Sequence, residues 1–266
     1  YSTRNPKELP WGELNVDVVM ECSGAFTSKE LSMIHIKQGA KKVIISAPGG
    51  EDVDATIVYG VNHHILKSSD QVISNASCTT NGLAPIVKPL HDKLGIVSGL
   101  MTTIHSYTND QNLLDNMHKK PRRGRSAAIN MVITSTGAGK AVTKALPSFE
   151  GKLTSNAIRV PVPNGSLAIL NLQLHKSTTK ERFNSIMKKH ALDGDLVEQI
   201  KYSINKELVS SDIIGTTAPS IFDSEATITD DETVVIYVWY DNEYGYSHQV
   251  IRLAKYIAKV RRYVYY

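Results

Sequence analysis

Short apolar runs alternate with stretches of helical spacing in the first third of the chain. Residues 16–20 and 42–46 are rich in β-branched side chains and bounded by turn residues, so they predict buried parallel strands. Residues 28–38 have apolar side chains at helical spacing and precede Gly39, which predicts a helix and its end. The three segments form one predicted βαβ unit. Further predicted strands are residues 53–58 and 71–74.

From about residue 95, the apolar runs become longer and alternate with polar residues. A period of two is typical of strands that bury one face, and it predicts antiparallel strands of a mixed sheet. The predicted strands are residues 97–107, 157–160, 167–174 and 233–240. The Thr-Thr-Lys-Glu sequence at residues 178–181 predicts a capping box at the start of a helix that runs to about His190. Residues 247–262 predict a closing amphipathic helix.

Composition and charge limit the class of protein. The 266 residues suffice for one large domain or two ordinary ones, and 41% apolar residues suit a globular core. A net charge of +4 is mild and gives no reason to expect a specific nucleic-acid partner. We see neither an apolar run near the ~20 residues of a membrane span nor a secretory signal. We therefore expect a cytoplasmic protein without a membrane partner, or an organellar one whose targeting segment is absent.

Cys78 is the first candidate for chemistry. The chain has only two cysteines, so no disulfide framework is expected, and a free thiol suits a reducing compartment. Cys78 lies between an apolar run and a predicted helix, whose start favours a thiolate. His105 ends a later predicted strand, so the two are candidates for a thiolate–imidazole pair. An inert buried cysteine is the alternative, and Cys22, which ends an apolar strand, fits that description better.

Three further segments are candidates for binding. The Ser-Thr-Gly-Ala-Gly-Lys sequence at residues 135–140 precedes a predicted helix, where an anion could bind, although an ordinary helix cap is the alternative. Arg159 lies inside an apolar strand, so its charge needs a buried carboxylate or a bound phosphate. Residues 110–125 are polar and basic and predict a long loop. Its arginines have no interleaved aromatic residues, which argues against nucleic-acid binding. The histidine spacing predicts no metal site.

Five sequence blocks carry a resemblance to a known family. They are Ala-Ser-Cys-Thr-Thr-Asn (76–81), Thr-Thr-Ile-His-Ser-Tyr-Thr-Asn-Asp-Gln (102–111), Ser-Thr-Gly-Ala (135–138), Arg-Val-Pro (159–161) and Trp-Tyr-Asp-Asn-Glu-Tyr-Gly-Tyr (239–246). Because these blocks occur in this order, the chain closely resembles the phosphorylating glyceraldehyde-3-phosphate dehydrogenases over essentially its whole length. Residues 107–111 resemble the bacterial and organellar branch of that family.

The resemblance implies an α/β plus α+β fold. Residues 1–77 and 243–266 would form the C-terminal half of a Rossmann-type NAD-binding domain. Residues 78–242 would form a catalytic domain with a mixed, largely antiparallel sheet. The family's glycine-rich fingerprint lies upstream of the segment that matches Tyr1, so about 70 residues of the family pattern, roughly two βαβ units, are absent. We therefore expect weak or no NAD binding by this chain, and the choice between NAD and NADP stays open.

The resemblance also implies roles for individual residues. Cys78 would be the nucleophile and His105 its activating base. The implied site for the attacking inorganic phosphate consists of Ser77, Thr79, Thr136 and Gly137. The substrate's own phosphate would be bound by Thr108 and Arg159. The implied cofactor contacts are Ser23, Gly24, Ser46, Asn242 and Tyr246.

The implied reaction is the NAD-dependent oxidation and phosphorylation of glyceraldehyde-3-phosphate to 1,3-bisphosphoglycerate through a cysteine thioester, a step of glycolysis and gluconeogenesis. The implied assembly is a homotetramer in which residues 110–125 reach a neighbour's cofactor site. One alternative is an erythrose-4-phosphate dehydrogenase. Another is a non-catalytic remnant used for binding or assembly, with an unreactive Cys78. Pro89 inside the helix after Cys78 predicts a kink.

Overall fold

The computed structural model of the protein describes residues 1–259, which divide into two compact units. Unit one contains residues 1–77 and the described chain from Ser247 onward, and unit two contains residues 78–246. The chain returns to unit one between residues 246 and 247, whereas the sequence predicts this boundary between 242 and 243. The predicted end of the closing helix at residue 262 lies outside the described residues.

Unit one is built on a four-stranded parallel sheet. Its strands are β1 (Val18–Glu21), β2 (Lys42–Ile45), β3 (Ala55–Thr56) and β4 (Val72–Ser74), in the order β1-β2-β4-β3. Its helices are α1 (Lys29–Lys37) and the part of α5 (Tyr244–Ile257) from Ser247 onward. Five side chains form a core cluster in this unit: Val19, Ala40, Val43, Ile45 and Val72. Of the strand predicted at 53–58, only the two residues of β3 (Ala55–Thr56) form a strand.

Local sequence explains the limits of α1. The Ser28 side chain accepts a hydrogen bond from the Leu31 N–H at 3.2 Å and caps the helix start. Gly39 follows the helix with φ +103°, and a Cβ there would lie 2.4 Å from the Gly12 Cα. Only glycine combines this backbone conformation with this close approach, so the chain turns directly from α1 into β2.

Unit two is built on an eight-stranded mixed sheet. The strands are β5 (Ile96–Ser106), β6 (Val132–Thr134), β7 (Leu153–Val160), β8 (Ser166–Leu174), β9 (Ile200–Ser203), β10 (Ser220–Asp223), β11 (Ile228–Asp230) and β12 (Thr233–Tyr240). Their order is β6-β7-β5-β8-β12-β10-β9, and β11 pairs with β12. Its helices are α2 (Cys78–Leu94), α3 (Ala138–Ala145) and α4 (Lys180–Leu192). The two sheets and their helices confirm the predicted fold class.

The pairing of β7 differs from the prediction. Leu153–Val160 runs parallel to β5 and antiparallel to β6, and β9 and β10 are also parallel. Parallel pairing requires a long connection, and between β5 and β7 it includes α3. The alternating pattern of a strand reports which face is buried and carries no information about the direction of its neighbour.

Helix α2 fills the space over the sheet and contacts β10, β12, α3 and α4. It continues through Pro85 and Pro89 to Leu94. The predicted loop at 110–125 contains one short 3₁₀ turn, Pro121–Gly124. In the described part of the chain, the helices are too short or too polar to cross a membrane.

Candidate active site

The structure brings Cys78 and His105 together. Cys78 is the first residue of α2, and His105 is the penultimate residue of β5. The Cys78 Sγ lies 3.6 Å from the His105 Nε2, which is hydrogen-bonding distance for sulfur. The imidazole is buried, whereas Cys78 is partly exposed. A thiol within hydrogen-bonding reach of an imidazole is the arrangement that nucleophilic catalysis by cysteine needs.

The hydrogen bonds of His105 assign its tautomer. Its Nδ1 lies 2.7 Å from the Ser106 backbone oxygen, which can only accept a hydrogen bond. The Nδ1 therefore carries the proton, and the Nε2 lone pair faces the thiol. The Arg159 Nη1 also donates to the Ser106 oxygen, at 2.9 Å, and lies 3.0 Å from the Nδ1. Because both nitrogens are donors, their close approach results from sharing this carbonyl.

Burial and charge set the pKa values of the pair. Burial, followed by the positive charge of Arg159, lowers the pKa of His105 to about 3. Burial raises the pKa of the Cys78 thiol, against the opposing effects of the Thr79 hydrogen bond and the Arg159 charge. Burial thus outweighs the effect expected from the helix start. At neutral pH the resting pair is a neutral thiol facing a neutral imidazole base.

Tyr240 contacts His105 and Thr79, the residue that follows Cys78. Its hydroxyl lies 2.6 Å from the Thr103 Oγ1 and 3.1 Å from the Thr79 Oγ1. Its ring meets the His105 ring edge-on, with centroids 5.8 Å apart. Burial raises the pKa of the Tyr240 hydroxyl, so this group stays protonated and acts as a fixed hydrogen-bonding group. Although Tyr240 lies in a block that carries the resemblance, its role is visible only in the fold.

Arg159 and Thr108 lie beside His105. The Arg159 Nη1 donates to the Thr108 Oγ1 at 3.3 Å. Arg159 is largely buried, and within residues 1–259 it forms no ion pair with a carboxylate and its buried Nε has no hydrogen-bond partner. The sequence predicts that either a buried carboxylate or a bound phosphate pairs with the charge of Arg159. The absence of a carboxylate partner in the described residues favours an anionic ligand.

Arg123 is a basic residue of the site that sequence reasoning did not single out. Its guanidinium contacts the Thr134 Oγ1 and the Ser135 backbone oxygen at 3.0 Å each and forms an ion pair with Asp110. It also lowers the pKa values of His105 and Arg159, behind burial as the main cause. The basic loop is therefore anchored where it adds positive charge to the site.

The predicted phosphate residues at α3 are only partly available. The Thr136 Oγ1 accepts from the Ala138 N–H at 3.2 Å, and the Ser155 Oγ accepts from the Gly139 N–H at 3.1 Å. Gly137 caps the helix, and a Cβ there would meet nothing within 4 Å. The open space at Gly137 fits the approach of an anion. Ser77 directly precedes Cys78 and is the last residue of unit one before the chain enters unit two.

Asn242 is held in one orientation. Its Oδ1 accepts from the Ser106 Oγ at 2.7 Å and the Ser166 Oγ at 2.8 Å, and its Nδ2 donates to Glu243 at 3.0 Å. The amide is buried and its oxygen and nitrogen are thereby distinguished. A fixed amide of this kind fits the recognition of a planar carboxamide. Tyr246 lies in the first turn of α5, partly exposed.

The other predicted cofactor residues lie in unit one. Ser23 and Gly24 follow β1, Ser46 follows β2, and β1 and β2 are parallel neighbours, so the three residues share the carboxyl edge of the sheet. That edge is where ligands bind to open parallel sheets. Gly24 has φ +74°, and its side-chain direction is open. These features fit a dinucleotide. Among the described residues, no cluster of three or more acidic, histidine or cysteine side chains could hold a metal ion.

Comparison with known proteins agrees with this geometry. The model of the glyceraldehyde 3-phosphate dehydrogenase C-terminal domain matches residues 77–242. The chain is 55% identical to the plasmid glyceraldehyde-3-phosphate dehydrogenase of Cupriavidus necator, with 97% of this chain and 76% of that protein covered. It is 50% identical to glyceraldehyde-3-phosphate dehydrogenase 2 of Trichormus variabilis (97% and 76%). It is 47% identical to the Clostridium pasteurianum glyceraldehyde-3-phosphate dehydrogenase (98% and 78%).

Proposed function

The chain belongs to the glyceraldehyde-3-phosphate dehydrogenase family, and we propose that it oxidises and phosphorylates glyceraldehyde-3-phosphate with NAD as the hydride acceptor. The observation that carries the proposal is the 3.6 Å contact between the Cys78 thiol and the unprotonated Nε2 of His105, beside a buried arginine that has no carboxylate partner among residues 1–259.

The first step follows from the neutral pair. The Nε2 of His105 accepts the thiol proton as the Cys78 Sγ forms a bond to the aldehyde carbon. The new imidazolium then lies beside the developing oxyanion and returns a proton to it, which gives a hemithioacetal on Cys78. Because burial and Arg159 lower the pKa of His105, its imidazolium is more acidic than that of an ordinary histidine and gives up the proton more readily. Tyr240 keeps the ring in place during both transfers.

The second step leaves a thioester on Cys78. When bound, NAD supplies the acceptor for the hydride lost by the substrate carbon. His105 takes the hydroxyl proton of the hemithioacetal in the same step, so charge does not accumulate on the oxygen. Asn242, with its oxygen fixed by Ser106 and Ser166, presents its amide to the carboxamide of the cofactor. Ser23, Gly24 and Ser46 are the proposed cofactor contacts in unit one.

The final step transfers the acyl group to phosphate. Inorganic phosphate attacks the thioester carbon and gives up its proton to solvent as the C–S bond breaks. The His105 imidazolium returns its proton to the departing Sγ, which restores the thiol of Cys78, and an acyl phosphate leaves. Thr79, Thr136, Gly137 and Ser77 are the proposed contacts of the attacking phosphate. Arg159 and Thr108 are the proposed contacts of the substrate's phosphate, and Arg123 adds positive charge.

The test follows NADH formation by the full-length protein with glyceraldehyde-3-phosphate, NAD and phosphate. Activity that requires phosphate and disappears in Cys78→Ala is the expected result. A protein without activity, or one that stays fully active as Cys78→Ala, would contradict the mechanism. Parallel assays with erythrose-4-phosphate and with NADP decide the substrate and the cofactor, since a higher kcat/KM for either would revise the proposal.

We also propose a homotetramer in the cytoplasm. Large apolar side chains are exposed on and after the basic loop, among them Leu114, Met117 and Met131. Apolar side chains gathered on one segment are typical of subunit interfaces. They support the expectation that this loop contacts a neighbouring subunit.

A further inference from the structure

A buried network in unit one ends at the turn after β1. The Trp11 Nε1 lies 3.1 Å from the His35 Nδ1, and the His35 Nε2 lies 3.0 Å from the Glu21 Oε2. The other carboxylate oxygen of Glu21 accepts from the Ser23 N–H at 2.7 Å and from the Ser23 hydroxyl. We call these four residues the Glu21 network. The proposed reaction uses none of its first three members.

Hydrogen-bond chemistry leaves the network one arrangement. The indole N–H of Trp11 can only donate, so the Nδ1 of His35 must accept and carries no proton. The imidazole is then neutral, and its Nε2–H donates to Glu21. A protonated histidine would place two donors against each other at Nδ1. Trp11 therefore fixes the tautomer of His35, and His35 in turn fixes one oxygen of Glu21.

The carboxylate is held in an unfavourable environment. Glu21 is 7% exposed and His35 is 4% exposed. The rings of Trp11 and Phe26 lie 6.3 Å and 6.0 Å from the ring of His35. Within residues 1–259, no lysine or arginine forms an ion pair with Glu21. A buried carboxylate without a cation is costly unless hydrogen bonds satisfy it, so its presence here calls for a role that an apolar residue could not fill.

The network fixes the shape of the Ser23-Gly24 turn. The Ser23 hydroxyl donates to Glu21 and accepts from the Ala25 N–H at 3.1 Å. The Glu21 backbone oxygen accepts from the Ser46 N–H at 3.0 Å, which ties the same residue to the end of β2. Gly24 itself has an open side-chain direction. Interactions at the buried side thus hold a turn whose other side is open to a ligand.

We propose that Glu21, with His35 and Trp11 behind it, is a positioning residue for the dinucleotide. The inference rests on the proposed function, because it assigns the Ser23-Gly24 turn to the NAD site. In this arrangement the Ser23-Gly24 turn is already ordered before NAD binds. The binding free energy of NAD is therefore not reduced by the cost of ordering the turn. The network acts on cofactor affinity and leaves the chemical step at Cys78 unchanged.

The test uses the full-length protein and measures the Kd of NAD by calorimetry, the KM for NAD and kcat by NADH formation, and Tm. In Glu21→Gln, the amide oxygen can face only one of its two donors, the His35 N–H or the Ser23 N–H. The amide NH₂ then faces the other N–H, and these two donors have no acceptor between them. We expect the Kd and KM for NAD to rise about tenfold, the effect of one lost charge-assisted hydrogen bond, at unchanged kcat.

A second variant tests the chemistry of the network. Trp11→Phe removes the donor that fixes His35, so the ring can move its proton to Nδ1 and accept a hydrogen bond from Gln at position 21. We expect Glu21→Gln to raise the Kd less in the Trp11→Phe background than in the wild type. The matched control is Met33→Ala. Met33 lies on α1, as His35 does, and packs against the core cluster of unit one, as Trp11 does. It should lower Tm and leave the Kd for NAD unchanged.

Each outcome decides the inference. An unchanged Kd in Glu21→Gln, an equal rise in Met33→Ala, or an equal effect of Glu21→Gln in both backgrounds would overturn it. If Glu21→Gln does not fold, the double variant with Trp11→Phe should fold. A double variant that also fails to fold would overturn the proposed network. A wild type that binds NAD without turnover rejects the proposed function and leaves the Kd comparison valid. A wild type that neither binds nor reduces NAD rejects both.

Discussion

His105 is a base whose environment keeps it unprotonated far below neutral pH. The ring is buried, lies 3.0 Å from the Arg159 guanidinium and has a pKa of about 3. An ordinary histidine would be about half protonated near pH 6.5, and its protonated fraction could not accept the thiol proton. The arginine proposed to bind substrate phosphate therefore has a second effect, because its charge also keeps the base free.

This depressed pKa predicts a loss of stability on acidification. Unfolded His105 takes up a proton as the pH falls below about 6.5, whereas folded His105 does not until about pH 3, so protonation favours the unfolded state. Between pH 7 and pH 5 the wild type should lose about 2 kcal/mol more unfolding free energy than His105→Asn. Urea denaturation of both proteins at the two pH values measures the difference. Equal losses would mean that His105 titrates normally in the folded protein.

The pair also predicts how Cys78 reacts. Because burial raises the thiol pKa, Cys78 needs the Nε2 of His105 to remove its proton near neutral pH. His105→Asn should slow alkylation of Cys78 by iodoacetamide by about a hundredfold, the usual effect of losing a general base. Cys22 serves as the internal control, because it is an exposed free thiol and not the buried cysteine that the sequence predicts. Mass spectrometry of both cysteines over time gives the rates, and an unchanged Cys78 rate excludes His105 as its base.

At the scale of elements, α2 shows how a neighbouring strand stabilises a helix that contains prolines. Pro85 and Pro89 have no N–H, so each removes one hydrogen bond from the helix. Ser220 on β10 is buried, and its hydroxyl lies 2.7 Å from the Gly82 backbone oxygen and 3.5 Å from that of Asn81, to which a residue with an N–H at position 85 would donate. The strand thus supplies a donor to the helix in the turn where Cys78, Thr79 and the start of the site are located.

Ser220→Ala tests this contribution. The variant removes a buried hydrogen bond to a helix carbonyl and should lower the unfolding free energy by about 1–2 kcal/mol. Ser98→Ala, at an exposed position of β5, is the matched control and should change stability by less than about 0.5 kcal/mol. Chemical denaturation monitored by circular dichroism compares the two. If they are equally stable, the contact between Ser220 and α2 is energetically neutral.

Elements with strong local patterns were predictable, and those defined by distant partners were not. The Thr233–Tyr240 strand agrees with its predicted bounds because its alternating apolar residues mark one buried face. The helix predicted from the capping box at 178–181 begins one residue later than predicted, at Lys180 with Thr179 as its cap. The two adjacent threonines offer the same local signal, so the sequence does not distinguish them. Short β6, β9, β10 and β11 were missed, since three or four residues carry little periodicity.

The same distinction holds in the site. Cys78, His105 and Arg159 stand out because each residue type contrasts with its local context. Tyr240 and Ser166 were missed because their roles come from contacts with residues far away in sequence, Thr103 and Ser106. No local pattern reports a buried hydroxyl whose partner lies on another strand.

At the scale of the whole molecule, the exposed apolar side chains of residues 113–133 predict assembly. Met117 is 94% exposed and Met131 is 76% exposed, within a segment that also carries the basic loop. Exposed apolar side chains so close together in a segment are costly in water and are usually covered by a partner. Arg123 anchors the loop to Ser135, so a subunit contact on this segment would also stabilise the charged side of the site.

Met131→Glu should therefore dissociate the proposed tetramer. A carboxylate at a buried subunit contact loses its hydration without gaining a partner, so we expect the tetramer to give smaller species by light scattering after size-exclusion chromatography. Leu192→Glu places the same charge at an exposed apolar position of α4 and should leave the assembly intact. Because the loop and the site are anchored together, dissociation should also lower kcat/KM. A Met131→Glu protein that remains tetrameric would place the subunit contact on another surface.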